Sequence, residues 1–495
     1  MHYPWWNVPH LTSPMLIAII AVIHILVSHY AVGGGILLAR ETAAARRRND
    51  EVYLKYLRSH TKFFVLLTVV FGAVTGVGIW WTIGLASPLA TGSLIRTFVF
   101  GWGIEWVFFI IELVSAFIFL YYWDRLPPKK HVMIGWIYAA AAWISLVLIT
   151  AITGFMLNTH GLLGEWDGTG GFWRALLNLQ FIPQTIYRTG AALVLSALYF
   201  YAHASFTVKD IALRDKVQAR IAKPAMFGAG LLVIGAVLWY FTLPAAAAQR
   251  LEAAAALNIF AGLSIAVTGV LFALILLGPV RSPGWLSPGF TMSMLLMGVC
   301  LFGTTEFIRE GVRKPFIVHN EILGNQIHVN EIGPAREAGY LEYGEWTNRY
   351  VQQKYPEVCV DGKIDESLLL TLDEPQRIDL GQTLFMYHCN DCHAAAHGYS
   401  AVGPILAGRS RERILDDVIH LNEANGSMPP WCGTPEEAEL LTDYLLTIQG
   451  PHAWDFGEWE TVPGADGNED VVVEDEGPIV EEGPVVDEGP VVLPE

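Results

Sequence analysis

Eight long apolar segments are the feature that most constrains what this chain can fold into. A helix needs about 20 mostly apolar residues to cross the hydrocarbon core of a bilayer. Hydrophobic residues make up 53% of the 495 residues and charged residues only 16%, which is typical of membrane proteins. The sequence therefore predicts an all-α, polytopic bundle of about eight transmembrane helices. The predicted spans are residues 14–39, 61–86, 96–122, 132–157, 184–206, 222–243, 256–279 and 289–309.

The connections between these segments alternate in positive charge. Lysine and arginine crowd the connections at residues 40–62, 125–131 and 207–223, whereas little positive charge lies at 87–95, 158–183 and 244–255. The positive-inside rule places the basic set in the cytoplasm. The N-terminus and, after eight crossings, the C-terminal part are then predicted outside, on the periplasmic side of a bacterial inner membrane. The first residues lack the pattern of a cleaved signal peptide.

A short cysteine motif lies in the polar C-terminal part. Cys389 and Cys392 are separated by two residues, and His393 follows at once. This spacing is typical of covalent c-type haem attachment, with the histidine as an iron ligand. Met428, followed by two prolines, is the predicted second axial ligand, because a rigidly held thioether stabilises low-spin iron and raises its potential. A reduced thiol pair and half of a zinc site are the alternatives.

The region around this motif resembles the class I cytochrome c family. Gly403 and Pro404 lie between the attachment motif and Met428, and a predicted amphipathic helix over 436–449 closes the domain. Haem is attached outside the cytoplasm, which agrees with the side predicted from the basic connections. The predicted organisation is a membrane domain at 1–315, an extracytoplasmic connector at 316–374, a cytochrome c domain at 375–452 and a disordered acidic tail at 453–495.

Charge and the remaining cysteines add little further function. The formal net charge is -17, and eleven of the acidic residues lie in 466–495. Because the chain has no excess of basic residues, nothing indicates nucleic-acid binding. The repeated Glu-Gly-Pro segments of this tail oppose helix formation and collapse. The tail is expected to be solvated, or alternatively to dock a basic partner. Cys359 and Cys432 both fall on the exported side, so a disulfide between them is an open alternative.

Several ionisable residues lie within the predicted spans, where they are costly and often functional. His24 and His29 lie on the first helix, and their five-residue spacing points them about 140° apart. Each is a candidate haem ligand or a hydrogen-bonded core histidine. Glu105 and Glu112 lie nearly on one face of the third helix, about 10 Å apart along it. They are candidates for proton delivery or iron ligation, with interhelical hydrogen bonding as the alternative.

The end of the eighth segment carries a cluster of opposite charges. Glu306 and Glu310 share one helical face, as do Arg309 and Arg313. At the outer membrane boundary a carboxylate can ligate iron, and arginine can pair with haem propionates. The alternative is an interfacial charge cluster without a cofactor.

The spans resemble subunit I of the cytochrome bd oxidase family over roughly residues 14–315. The motifs that carry the resemblance, in chain order, are Ala21 to His24 with Glu41-Thr42, Thr61 to Phe64, Gly72 to Gly76, Phe109 to Glu112 leading to Trp123 to Leu126, Thr153 to Asn158, and Glu310 with Arg313 and Pro315. The resemblance implies that His24 and Glu310 bind haem iron. It also implies b-type haem, one or two groups, with haem d as an alternative, and a second membrane subunit.

Three departures from the family pattern concern its quinol side. Arg188 stands where the family has a histidine ligand of its low-spin haem b, and guanidinium cannot bind iron. The quinol-binding loop is reduced to about 244–255, and a ninth helix is absent. These losses indicate that direct quinol input is gone and that the fused haem c replaces it, although the sequence leaves a role for quinone open. Arg188 is expected to pair with a propionate or carboxylate.

Together these features predict a membrane-bound respiratory electron-transfer subunit. Electrons would pass between the external haem c and haem near His24 and Glu310, for oxygen reduction with protons supplied past Glu112. A soluble c-type cytochrome or another periplasmic redox protein would be the partner. The alternative is a non-catalytic haem b/c relay that anchors a larger respiratory complex. A scaffold with degenerate haem sites is the third possibility.

Overall fold

The computed structural model describes residues 6–166, 168, 171–282, 284 and 287–451. It is predominantly helical, and its strands form three short antiparallel pairs. The predicted acidic tail at 453–495 lies outside the described residues. Two regions follow one another along the chain: a bundle of long apolar helices, and a C-terminal region of short helices and hairpins.

Eight helical segments in the described part are long and apolar enough to cross a membrane, as predicted. Two of them contain a π-helical turn, at Leu66–Phe71 and at Leu276–Arg281. Short elements on the connections complete this region. Its elements are α1 Ser13–Arg47, α2 Glu51–Val65, α3 Gly72–Ala86, α4 Pro88–Thr97, α5 Val99–Tyr121, α6 Pro128–Leu157, β1 His160–Gly161, β2 Gly164–Glu165, α7 Phe172–Leu176, α8 Phe181–Thr207, α9 Ile211–Phe241, α10 Ala245–Ala253, α11 Ala255–Ile275 and α12 Pro288–Arg313.

Helix α1 occupies the centre of the bundle and packs against α2, α3, α6, α8 and α12. Two of its glycines allow this packing. A Cβ atom on Gly33 would lie 2.1 Å from the backbone oxygen of Ala192, and one on Gly35 would lie 2.3 Å from the ring of Tyr138. Because no side chain larger than hydrogen fits at either place, α8 and α6 can approach the backbone of α1 directly.

Helix α1 continues well beyond its apolar segment, which was predicted to end near residue 39. The extension carries Glu41, which is fully buried. Its carboxylate accepts a hydrogen bond from the Tyr53 hydroxyl (3.0 Å) and pairs with Arg40 and Arg220. These partners compensate the buried charge, so the helix can extend into a polar segment that hydropathy alone excludes.

Residues 316–374, predicted as an extracytoplasmic connector, fold into one core with the residues that follow. Short helices bury little apolar surface alone, so they pack together. Buried side chains from both sides of residue 374 share this core, among them Leu341, Val351, Leu380, Leu384 and Leu441. The elements are β3 Phe316–Val318, β4 Ile322–Leu323, α13 Ile332–Ala338, α14 Tyr340–Tyr343, α15 Glu345–Lys354, β5 Cys359–Val360, β6 Lys363–Ile364, α16 Glu366–Leu369, α17 Glu374–His388, α18 Val402–Ile405, α19 Arg411–Ile419, α20 Leu421–Ala424 and α21 Pro435–Thr447.

Helices α17 and α21 form the main contact of the C-terminal region. They cross at Gly381, where a Cβ atom would lie 2.1 Å from the backbone oxygen of Leu440. The buried carboxylate of Glu437 in α21 accepts hydrogen bonds from the backbone N–H groups of Tyr340 (2.8 Å) and Leu341 (2.6 Å). The crossing therefore fixes both the cysteine motif at the end of α17 and the start of α14.

Candidate functional site

The cysteine motif begins where α17 ends. The backbone N–H groups of Cys392 and His393 both donate to the oxygen of Cys389, at 3.0 and 2.9 Å, so the three side chains belong to one tight turn. The Nδ1–H of His393 donates to the backbone oxygen of Ser400 (2.7 Å). This bond fixes the tautomer and leaves Nε2 available for iron, as is usual for a metal-binding histidine.

Met428 lies on a loop held by several hydrogen bonds. Its N–H donates to the backbone oxygen of Asn425 (2.8 Å), and its own backbone oxygen accepts from the side chain of Asn422 (2.8 Å). A third bond comes from the membrane region, where Arg250 of α10 donates to the oxygen of Gly426 (2.6 Å). Met428 itself is half-buried. The three hydrogen bonds constrain the loop that carries its thioether.

The residues around the motif are compatible with a covalently bound haem. Cys389 and Cys392 are free thiols, as thioether formation requires. His388 is buried between the rings of Tyr340 and Trp431, and neither of its ring nitrogens has a partner among the described residues. Burial lowers the pKa of His388 to about 3, so it is neutral.

The disulfide considered between Cys359 and Cys432 is not formed, because both are free thiols. The Sγ atom of Cys432 lies 3.2 Å from the backbone oxygen of Pro430, and that of Cys359 lies 3.9 Å from that of Tyr355. Burial raises the pKa of the Cys432 thiol to about 12. This thiol is therefore neutral and unreactive near pH 7.

His24 occupies a narrow site between α1 and α3. Its Nδ1 lies 3.0 Å from the hydroxyl oxygen of Thr75, whose own proton is donated to the backbone oxygen of Phe71 (2.9 Å). Thr75 therefore accepts from Nδ1–H, which leaves Nε2 of His24 free. A Cβ atom on Gly76 would lie 3.2 Å from the imidazole. The geometry fits an oriented iron ligand.

His29 faces a different helix, as its spacing from His24 predicted. Its Nδ1–H donates to the backbone oxygen of Ile25 (2.8 Å), and its ring packs edge-on against Phe302 of α12 at a centroid distance of 5.0 Å. His29 is buried. The structure therefore does not bring the two histidines together on one ligand position.

The two carboxylates of α5 both face α6. The hydroxyl of Tyr138 donates to Glu112 (3.0 Å), and the hydroxyl of Ser145 donates to Glu105 (2.8 Å). These are interhelical hydrogen bonds, the alternative considered for this pair. Each carboxylate keeps one oxygen free of these bonds, so proton binding at the same sites is not blocked.

The charges at the end of α12 form two linked groups. Glu306 contacts Arg188 of α8 (3.2 Å) and Arg309 (2.8 Å). Glu310 is held by the guanidinium of Arg313, whose nitrogen lies 2.6 and 2.5 Å from its two carboxylate oxygens. Arg188 thus pairs with a carboxylate, one of the two outcomes expected for it.

This cluster has an excess of positive charge. Its two carboxylates face four cations, namely Arg188, Arg309, Arg313 and Lys314. In addition, Nη1 of Arg309 and Nε of Arg313 are buried without a hydrogen-bond partner among the described residues. Unpaired buried donors beside surplus positive charge fit a dianionic ligand, such as the two propionates of a haem. Glu310 would have to share its oxygens with Arg313 if it also bound iron.

Sequence reasoning missed a histidine pair, of which His60 is buried and His203 half-buried. His60 is fully buried, and its Nε2 lies 2.9 Å from the hydroxyl of Tyr30. Its ring stacks on Phe200 and lies 4.6 Å from that of His203, from centroid to centroid. His60 falls in the basic connection at 40–62, where hydropathy gives no indication of burial.

Comparison with known proteins concerns mainly the membrane region. The family model of cytochrome bd terminal oxidase subunit I matches residues 13–256. A solved structure of bd oxidase from Geobacillus thermodenitrificans matches with a TM-score of 0.53 and 18% sequence identity, covering 62% of this chain and 87% of that one. At this identity the likeness concerns the fold. No curated protein matches the chain. The chain is therefore a multi-pass membrane protein with a bd oxidase fold, and its residues 13–256 match the cytochrome bd terminal oxidase subunit I family.

Proposed function

We propose that this chain is the haem-bearing subunit of a respiratory oxidase with a c-type haem on its C-terminal region. The observation that carries the proposal is the turn of Cys389, Cys392 and His393, with two free thiols beside an imidazole oriented through Ser400. The bd oxidase fold of the membrane region supports the oxidase assignment. When bound, the haems supply one-electron transfer and oxygen reduction.

In the C-terminal region, Cys389 and Cys392 would hold the haem, and His393 and Met428 would bind its iron. The hydrogen bond to Ser400 orients His393 and increases its basicity. The constrained loop presents the sulfur of Met428, which favours the reduced iron and raises the potential. The short helices of 316–374 share the apolar core of the same region.

In the membrane region, His24 is the proposed iron ligand, oriented by Thr75. The surplus cations at the end of α12, including Arg309 and Arg313, would bind the propionates. Glu310 is retained as a second candidate ligand, and His29 as a neighbour that packs on α12. The bd oxidase subunit I family binds b-type and d-type haems, so one or two haems b, or a haem d, are proposed here.

Glu112 and Glu105 are proposed to hold and transfer protons. Both are carboxylates on a membrane-spanning helix, where an ionisable side chain is costly and often functional. The hydroxyls of Tyr138 and Ser145 can donate to the carboxylate form and hold it in place. The expected partners are a second membrane subunit, as in the bd oxidase family, and a periplasmic c-type cytochrome.

Oxygen uptake by the purified protein, driven by reduced soluble cytochrome c, tests the proposal. We expect the wild-type protein to consume oxygen. The double variant Cys389→Ala/Cys392→Ala should lose this uptake because the c-type haem is missing, and His24→Ala should lose it because the membrane haem is missing. Haem staining of the denatured protein and a pyridine haemochrome spectrum identify which haem is lost. A matched control, Cys359→Ala, removes a thiol outside the motif and should keep full activity.

The alternative function is an electron relay that reduces no oxygen. The observation that favours it is the contact of one Arg313 nitrogen with both carboxylate oxygens of Glu310, which occupies a candidate iron ligand. In that case both haems would be reduced by cytochrome c, but oxygen uptake would stay at the level of His24→Ala. If no haem remains covalently attached after denaturation, both proposed functions are wrong in assigning a c-type haem to the C-terminal region.

A further inference from the structure

The membrane region contacts the C-terminal region at both of the segments that would carry the axial ligands of a haem c. On the histidine side, the N–H of Tyr399 donates to the backbone oxygen of His10 (2.7 Å). Tyr399 directly precedes Ser400, the residue that orients His393. A Cβ atom on Gly398 would lie 2.3 Å from the oxygen of His10, so this contact is close.

On the methionine side, the contact comes from Arg250 of α10, on the outer connection between α9 and α11. Its guanidinium donates to the backbone oxygen of Gly426 at 2.6 Å. Gly426 lies two residues before Met428. From the other side of the loop, Arg336 donates to the oxygen of Trp431 at 2.7 Å, so the loop is held at both ends by arginine.

Between these two contacts, the cysteine turn itself lies against the end of α12. The ammonium nitrogen of Lys314 is 3.6 Å from the sulfur of Cys392. A Cβ atom on Gly324 would lie 3.9 Å from the same sulfur. The face that carries the haem-binding residues is therefore turned toward the membrane region.

We propose that Arg250 is a positioning residue that holds Met428 in place as an axial ligand, so that the membrane region sets the ligation and potential of haem c. The proposal rests on the proposed c-type haem. A charge-assisted hydrogen bond from Arg250 to Gly426 restrains the loop at the point where it turns toward the sulfur. A docked cytochrome region, rather than a tethered mobile one, follows from the same contacts.

The test compares Arg250→Ala with the wild type in the full-length holoprotein. Two readouts are used: the charge-transfer absorption band of the methionine–ferric haem bond, and the midpoint potential of haem c. We expect the band to weaken at least twofold and the potential to fall. If the preference of the site for ferrous over ferric iron falls tenfold, the midpoint potential of this one-electron couple falls by about 59 mV. Arg250→Lys should recover part of both, because it keeps one charged donor.

Two further variants complete the experiment, one as a control and one as a test of the contact on the histidine side. Arg413→Ala removes an exposed arginine of the same region that pairs with Asp416 and Asp417, and it should leave both readouts unchanged. Gly398→Ala disturbs the contact with His10 from the opposite side and should lower the potential independently of Arg250.

A wild-type band and potential in Arg250→Ala would overturn the inference, and an unchanged potential in Gly398→Ala would overturn its extension to the histidine side. That outcome would leave the proposed function intact, because covalent haem would still be present after denaturation. If the wild-type protein carries no covalent haem, the proposed function fails and this inference fails with it.

Discussion

Two histidines in different regions of the chain share one local arrangement. Nδ1–H of His24 is bonded to the hydroxyl of Thr75, and Nδ1–H of His393 to the backbone oxygen of Ser400. In both cases the outer hydrogen bond leaves Nε2 free and fixes the plane of the ring. This is how proteins commonly orient a histidine that binds metal. Sequence identified both histidines, but their orienting partners, 51 and 7 residues away, were visible only in the structure.

We expect His24→Ala to abolish the non-covalent haem and leave the c-type band intact. Thr75→Val should keep the haem but broaden or shift its spectrum, because removing an orienting partner typically lowers metal affinity about 10- to 100-fold. Reduced-minus-oxidised difference spectra of the purified variants measure both effects. His29→Ala is the control, since His29 packs on Phe302 and should leave the spectrum largely unchanged. Unaltered b-type absorbance in His24→Ala would assign the ligand role elsewhere.

Hydropathy predicted the helices of the membrane region well, because each span must satisfy its own backbone hydrogen bonds in lipid. Hydropathy failed where the burial of a segment depends on contacts with another part of the chain. The extension of α1 depends on the pairing of Glu41 with Arg220 of α9, and the folding of residues 316–374 depends on packing against α17 and α21. Neither interaction is local in sequence, so no pattern within one segment indicates it.

The crossing of α17 and α21 should tolerate no side chain at Gly381. Gly381→Ala places a methyl group 2.1 Å from the oxygen of Leu440, so the helices must separate. Overpacking of this kind costs about 1–3 kcal/mol. Thermal denaturation followed through the c-type haem absorbance should show a lower midpoint. Gly333→Ala is the matched control, because nothing lies within 4 Å of its added Cβ, and an equal effect in both variants would contradict this account.

The carboxylates of Glu366 and Glu437 make the stability of the C-terminal region depend on pH. Burial raises the pKa of both, and repulsion from a neighbouring carboxylate adds to this effect, from Glu437 at Glu366 and from Glu436 at Glu437. Because their folded pKa values exceed the unfolded value of about 4.3, the unfolded state releases protons more readily. The free energy of unfolding should therefore fall as pH rises above this value and through the folded pKa values.

Glu366→Gln should reduce this dependence, because it removes one of the two charges and can still accept from the Thr434 hydroxyl. We expect stabilisation on the order of 1 kcal/mol at about pH 8.5 and little change at about pH 5. Resistance to proteolysis at the two pH values gives the comparison. Glu423→Gln, at an exposed position, should have no effect at either pH. Equal stabilisation by Glu366→Gln at both pH values would exclude titration as the cause.

At the scale of the whole molecule, an even number of spans places both ends on the same side. A reporter fused after Glu495 should be active only in the periplasm, and one inserted beside Arg47 only in the cytoplasm. The positive charge of the connections at 40–62, 125–131 and 207–223 is the physical reason. A reporter pair active on the same side would contradict the eight-span arrangement and, with it, the external position of the cysteine motif.

The sequence by itself determined the number of candidate spans, and it predicts their sidedness and the side chains available for haem. These properties depend on local composition: apolar length, loop charge and the spacing of Cys389, Cys392 and His393. Only the tertiary structure decided how these parts are combined. It joined residues 316–374 to the α17–α21 core, paired Arg188 with Glu306 and brought Arg250 onto the loop of Met428. Such contacts link residues far apart in sequence, and their energies arise only when packing brings the partners together and excludes water.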